Sequence, residues 1–150
     1  MKIRSFMKSH SIIATCFIFS AGLFFTGCDA GNPNLAQVTG KVTLDGKPLV
    51  EAELVFTPSD QTGGSSMAST DEEGNYTLFY SASETGAWIG DHSVTITKTD
   101  DREEGVFQLV PPKYNDQSTL TAAVVKGEDN VKNFDLESGD WDPKKSKQAQ

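Results

Sequence analysis

Polar and apolar residues alternate with a period of two through much of this chain. Val38, Gly40, Val42 and Leu44 share one face of an extended segment, while Gln37, Thr39, Lys41 and Thr43 share the other. That is the pattern of a half-buried strand. Asp45-Gly46 supplies a tight turn, and Lys47-Pro48 leads out of it. The alternation then resumes with Val50, Ala52, Leu54 and Phe56 inward against Glu51, Glu53 and Thr57 outward. The two runs are predicted to pair as a β-hairpin.

Further along, a flexible stretch from Pro58 to Gly64 precedes a weak strand candidate over Ser65 to Thr70. Asp71-Glu72-Glu73-Gly74-Asn75 is a turn rich in residues that tolerate positive φ, and Tyr76, Leu78 and Tyr80 then line one strand face. His92, Val94 and Ile96 alternate with Ser93, Thr95 and Thr97. A long loop through Val110-Pro111-Pro112 separates this strand from two last ones, Leu120 to Val125 and Val131 to Leu136, joined by a turn at Gly127-Glu128-Asp129-Asn130. No 3.6-residue apolar repeat is sustained after the first 27 residues. The expected fold class is therefore all-β, a two-sheet β-sandwich of about seven short strands over residues 37–137. Each sheet contributes half of the core, and Lys41, Glu51, Glu53 and the threonines face water.

The first 27 residues follow a different rule. Lys2, Arg4 and Lys8 precede an apolar run from Ser11 to Phe25, and no acidic residue occurs before Asp29. This is the charged start and apolar core of a signal peptide. At about 15 residues the run is short of the ~20 that a spanning helix needs. The sequence Phe25-Thr26-Gly27-Cys28 resembles the bacterial lipobox, with Phe25 standing where Leu is usual. The resemblance implies removal of residues 1–27 and attachment of a diacylglycerol to the Cys28 thiol. Cys28 has two other readings, a small residue beside an ordinary cleavage site and a residue in an uncleaved signal anchor. The order of charged start, short apolar run, small residues and cysteine favours the lipid. Residues 28–36, rich in Gly, Pro and Asn, then read as the lipidated cysteine and a flexible tether, and 138–150 as a polar disordered tail with Trp141 as its one sizeable apolar group.

Processing of this kind accounts for both cysteines, because Cys16 leaves with the signal and Cys28 is consumed by the lipid. No thiol remains for a disulfide or a cysteine metal site. Loss of residues 1–27 removes three of the 13 cationic residues and none of the 21 acidic ones, which takes the formal net charge from −8 to −11. A surface so acidic repels phosphate backbones and anionic lipid heads, and this disfavours nucleic acid as a partner. The expected location is membrane-anchored, on the periplasmic or cell-surface side. Asp29 directly after the cysteine is the inner-membrane retention signal of enterobacteria, but the leaflet is not assigned.

The segments Val38-Thr39-Gly40-Lys41-Val42-Thr43-Leu44-Asp45-Gly46-Lys47-Pro48-Leu49 and Thr70-Asp71-Glu72-Glu73-Gly74-Asn75-Tyr76-Thr77-Leu78, with Ala52 and Phe56 between them, carry a family likeness. With these residues the chain resembles the carboxypeptidase regulatory-like domains, transthyretin-like or prealbumin-like sandwiches. Gly90 to Ile96 fits the later Gly-x-Tyr-x-Val-x-Ile pattern of that family, with His92 where an aromatic is usual. The stretch Pro111 to Asp116, with Leu120 and Phe134-Asp135-Leu136, looks like the endings of many short planctomycete lipoproteins. The resemblance implies fold more than activity, since such sandwiches are reused for many tasks.

Candidate chemistry is sparse. One histidine, His92, follows the signal segment, and no Gly-x-Ser-x-Gly elbow or free cysteine accompanies it. Its parity with Val94 and Ile96 makes it a core position. The histidine set and Tyr-Arg-Gly-Ser ending of the transthyretin-like hydroxyisourate hydrolases are missing, so the expectation is a non-enzyme without catalytic residues, cofactor, small-molecule substrate or zinc. Asp71, Glu72, Glu73, Asp100, Asp101, Glu103 and Glu104 raise calcium as an alternative ligand, although the glycine of the first loop is misplaced for an EF-hand. Phe79, Tyr80, Trp88 and Trp141 raise glycan as another. The leading expectation is a structural or protein-interaction module that touches the membrane through Cys28 and envelope proteins through its sandwich.

Overall fold

The computed structural model describes residues 32–102 and 105–146. The expected signal peptide, Cys28, Glu103 and Glu104 lie outside the described residues. In chain order the strands are β1 (Leu35–Ala36), β2 (Val38–Leu44), β3 (Lys47–Pro48), β4 (Glu53–Pro58), β5 (Ser66–Ser69), β6 (Asn75–Thr77) and β7 (Ala87–Trp88). They continue with β8 (Gly90–Thr97), β9 (Thr99–Arg102), β10 (Gly105–Gln108), β11 (Leu120–Val124), β12 (Asn130–Val131) and β13 (Phe134–Leu136). Pro112–Tyr114 and Pro143–Ser146 form short 3-10 turns.

Two sheets face each other, as the alternation requires. One is antiparallel, in the order β11-β8-β4-β5. The other is built on β2, which takes β12 and β13 as parallel partners and β3 and β6 as antiparallel ones. Val38, Val42, Leu78, Phe134 and Leu136 point inward from the β2 side and Leu54, Phe56, Val94, Ile96 and Val124 from the other, all of them buried. Phe56 sits at the centre, its ring 6.4 Å from Tyr76, 6.0 Å from His92 and 6.1 Å, edge-on, from Phe134. Aromatic rings from both sheets thus meet on one side chain, with burial as the main stabilising term.

The expected β2–β4 hairpin does not form. β2 turns at Asp45-Gly46 onto the two-residue β3, and the chain then leaves that sheet at Glu51, whose φ is +51°. The crossing is clamped by Thr70: its Oγ1 donates to the Leu49 carbonyl at 2.5 Å and accepts from the Ala52 N–H at 2.8 Å. β4 then runs in the opposite sheet between β5 and β8. Alternation fixes which side chains point inward but not which sheet a strand joins, and both sheets bury the same parity. Val50, expected inward, lies at the kink and is exposed, and Leu49 is buried in its place.

The last two strands behave in the same way. β11 joins β8, whereas β12 and β13 join β2, so the turn between them carries the chain from sheet to sheet. Asn130 pins it, with Oδ1 accepting from the Val125 N–H at 2.8 Å and Nδ2 reaching the carbonyls of Val125, Glu128 and Gln37. Lys132 follows, and its carbonyl accepts from the Tyr76 hydroxyl at 2.7 Å directly over Gly40, where an added Cβ would lie 1.8 Å from that oxygen. Glycine at position 40 is what allows this approach.

Three boundaries also move. Leu35 and Ala36, expected in the tether, pair with Trp88 and Ala87. The long loop before Val110 contains the β9–β10 hairpin, missed because Asp100, Asp101 and Arg102 present no apolar alternation. The start of the expected tail folds back: the Trp141 indole N–H donates to the Gln108 carbonyl at 3.2 Å, and the Pro143–Ser146 turn packs against β10.

Candidate functional site

The concavity of chief interest lies on the outer face of β8, where Thr95 and Thr97 project away from the core. Gln108, at the end of β10, and Trp141 border it on one side, and Pro112, Asn115 and Asp116 on the other, enclosing an open cleft of about 500 Å³. Such a volume lies within the range of small-ligand sites.

Each wall is held from behind. The Gln108 Oε1 accepts from the backbone N–H groups of Lys98 and Val110, at 3.0 and 3.2 Å, and so fastens the hairpin to the end of β8. Asn115 is buried, with Nδ2 donating to the Val110 carbonyl and Oδ1 accepting from the Asp116 N–H at 2.6 Å, which fixes the turn that presents the Asp116 carboxylate. Trp141 is positioned from the far side of the molecule. In the β2–β3 turn the Asp45 carboxylate accepts from the Ser138 hydroxyl at 2.7 Å and its N–H at 3.0 Å, and the Ser138 carbonyl in turn accepts from the Trp141 backbone N–H. The Ser138 hydroxyl and then its N–H hold the Asp45 carboxyl below the usual carboxylate range. The Glu137 N–H adds a bond to the Tyr114 hydroxyl at 3.0 Å.

Among the described residues the side-chain oxygens of Thr95, Thr97 and Asp116 have no protein partner, while the Trp141 indole N–H is already bonded. The cleft therefore offers two hydroxyls along its floor, a carboxylate at its rim and an aromatic wall. None of its lining residues among those described is cationic.

The four aromatic residues expected as a platform are dispersed. Tyr80 and Trp88 pack edge-on against each other at 6.1 Å, beneath Gly63 and Gly64. The backbone of Gly63, at φ +82°, lies so close to the indole that a Cβ there would come within 2.0 Å of Trp88 Nε1. Phe79 is exposed beside the equally exposed Met67, to which it is bridged at the β5 edge. Only Trp141 reaches the cleft.

The acidic loops are also separate. The Asp71 carboxylate closes its own turn, accepting from the N–H groups of Asn75 and Glu73 at 2.7 and 3.0 Å. Desolvation works against its charge, and these bonds outweigh it and leave the carboxyl below its usual range. Asp100 and Asp101 stand on β9. Among the described residues no three carboxylate, histidine or cysteine side chains converge as metal ligands.

His92 lies in the core at 1% exposure. Its Nδ1 is 3.1 Å from the Gly90 carbonyl and must carry the proton to donate there, so Nε2 is a bare acceptor, buried without a partner among the described residues. Burial holds its pKa below 6.5, against the opposing pull of the Gly90 carbonyl, Asp60 and Asp91. The ring packs on Phe56 in the place that parity assigned it.

No protein-family model and no curated protein matches the chain. Among solved structures it is similar to a 9R-lipoxygenase from Cyanothece PCC8801, with 14% identity and a TM-score of 0.35 over 69% of this chain. The chain spans 16% of that enzyme's length, and a likeness of this size carries no argument about activity.

Proposed function

We propose that this chain is an exported bacterial lipoprotein, held to a membrane by a lipid on Cys28, whose sandwich serves the cell envelope as a non-catalytic structural or protein-interaction module. The observation that carries the reading is the order of features before the domain: three cations, a run of about 15 apolar and small residues too short to span a bilayer, then Thr26-Gly27-Cys28. Among the described residues no helix is long and apolar enough to cross a membrane. The likeness to carboxypeptidase regulatory-like domains belongs to the same reading. Its two motif segments lie side by side, the first forming β2 and β3 and the second containing β6, which pairs with β2.

Anchoring at Cys28 constrains what the module can touch. Six residues separate the cysteine from β1, so even an extended link brings the sandwich within roughly 25 Å of the lipid. Its partners are therefore at the membrane face.

The test is expression in a bacterial host of the wild type beside Cys28→Ser. The wild-type chain is expected to lose residues 1–27 and sediment with membranes until detergent is added, whereas Cys28→Ser keeps those residues. Wild-type protein found free of membranes, or the two chains processed alike, would overturn the anchor.

A further inference from the structure

The cleft between Trp141 and Asp116 has a chemistry that the docking reading does not use. Its floor is formed by Thr95 and Thr97, on one face of a strand and so about 7 Å apart along it. Their hydroxyls are each able to donate and accept, and neither is engaged by protein among the described residues. The Asp116 side chain is exposed and accepts only. Trp141 is half-buried, and because its N–H is committed to Gln108 what it offers a ligand is ring surface.

Charge narrows the ligand. Among the described residues no lysine, arginine or histidine lines the cleft, Asp116 stands at its rim and the whole chain is acidic, so phosphates, sulfated chains and anionic lipid heads are repelled. A purely apolar ligand would strip water from three polar side chains without replacing their hydrogen bonds, at about 1–3 kcal/mol for each group left unsatisfied. A lysine-bearing peptide would suit Trp141 and Asp116. The ammonium, however, only donates, and it leaves the donor capacity of the two threonines unused. A pyranose ring matches every feature, because one face of C–H groups lies against an aromatic ring while its equatorial hydroxyls both donate and accept.

We propose that the cleft is a binding site for an uncharged glycan, with a sugar ring stacked on Trp141 and its hydroxyls bonded to Thr95, Thr97 and Asp116. The site stands independently of the lipid on Cys28. It would give the anchored sandwich a carbohydrate to hold at the membrane face.

The experiment uses the full chain in detergent and a panel of neutral α- and β-linked hexose and N-acetylhexosamine oligosaccharides, with a lysine-rich hexapeptide as competitor class. Binding is followed by tryptophan fluorescence and calorimetry. At least one oligosaccharide is expected to bind saturably, with affinity unchanged when salt is raised to about 0.5 M. Trp141→Ala is expected to weaken it about tenfold or more, and Thr95→Ala combined with Thr97→Ala at least about threefold. The threonine pair lies on the outer sheet face, so its variant keeps the core and its melting temperature checks that. No binding across the panel, binding indifferent to both variants, or salt-sensitive binding of the peptide alone would each overturn the proposal.

Discussion

Replacing His92 with phenylalanine should remove most of the acid sensitivity of this domain between pH 7 and pH 5. The imidazole is buried against Phe56, its Nδ1 proton is committed to the Gly90 carbonyl, and a proton on Nε2 would find no acceptor. The nearby charges are those of Asp60 and Asp91, which favour the protonated ring, and burial outweighs them. The folded-state pKa is thus depressed below 6.5, so the unfolded chain takes up a proton that the folded chain refuses. Stability is complete above about pH 6.5 and falls as the pH drops, with a limiting slope of about 1.4 kcal/mol per pH unit, until the folded state also protonates. By pH 5 the loss due to this residue is at most about 2 kcal/mol, a large share of the ~5–15 kcal/mol typical of a domain. Asp45, Asp60 and Asp71 are also held below the ordinary carboxyl value of 3.8, and the stability they contribute is lost only as the pH falls below it, outside this window. Urea unfolding at pH 8, 7, 6 and 5 measures the slope directly. Equal pH slopes for wild type and His92→Phe would refute the argument, as would a wild-type stability that does not fall below pH 6.5.

Other substitutions probe the scaffold. Phe56→Ala empties the position where rings from both sheets meet and should cost about 3–5 kcal/mol, read as a fall in the urea midpoint. Gly40→Ala would place a methyl carbon 1.8 Å from the Lys132 carbonyl and should destabilise by about 3 kcal/mol or more, with loss of the Tyr76 hydroxyl bond visible in the tyrosine spectrum. Asn130→Ala leaves the Val125 N–H and several carbonyls short of partners at the sheet-to-sheet turn. It should cost about 2–3 kcal/mol and speed hydrogen exchange at Val125 ahead of β8.

The alternation in β2, β4 and β8 made the inward side chains legible, down to a histidine occupying an apolar position. Turn chemistry at Asp45-Gly46 and over 71–75 was legible for the same local reason: few other residues tolerate the backbone geometry needed there. Sheet membership was not, because β2 and β4 bury the same parity and part at Glu51 through a hydrogen-bonded clamp with Thr70, a residue remote from Leu49 in sequence. β9 carries charges where a half-buried strand would carry valine, and the buried apolar side chain of the hairpin, Phe107, comes from β10. The cleft was the least visible feature. Thr95 and Thr97 look like any outward positions, and Trp141 stands in a polar segment whose docking depends on Asp45, 93 residues before Ser138. An isolated tryptophan in such a segment was the one local sign.

Cys28 remains the centre of the functional account, since the lipid on it would decide where the sandwich works and what it can reach. Mass spectrometry of the N-terminal peptide from detergent-extracted protein tests this most directly. The expected peptide begins at Cys28 and carries the added mass of a diacylglycerol on its sulfur. An unmodified Cys28, or a peptide that still includes residues 1–27, would contradict it.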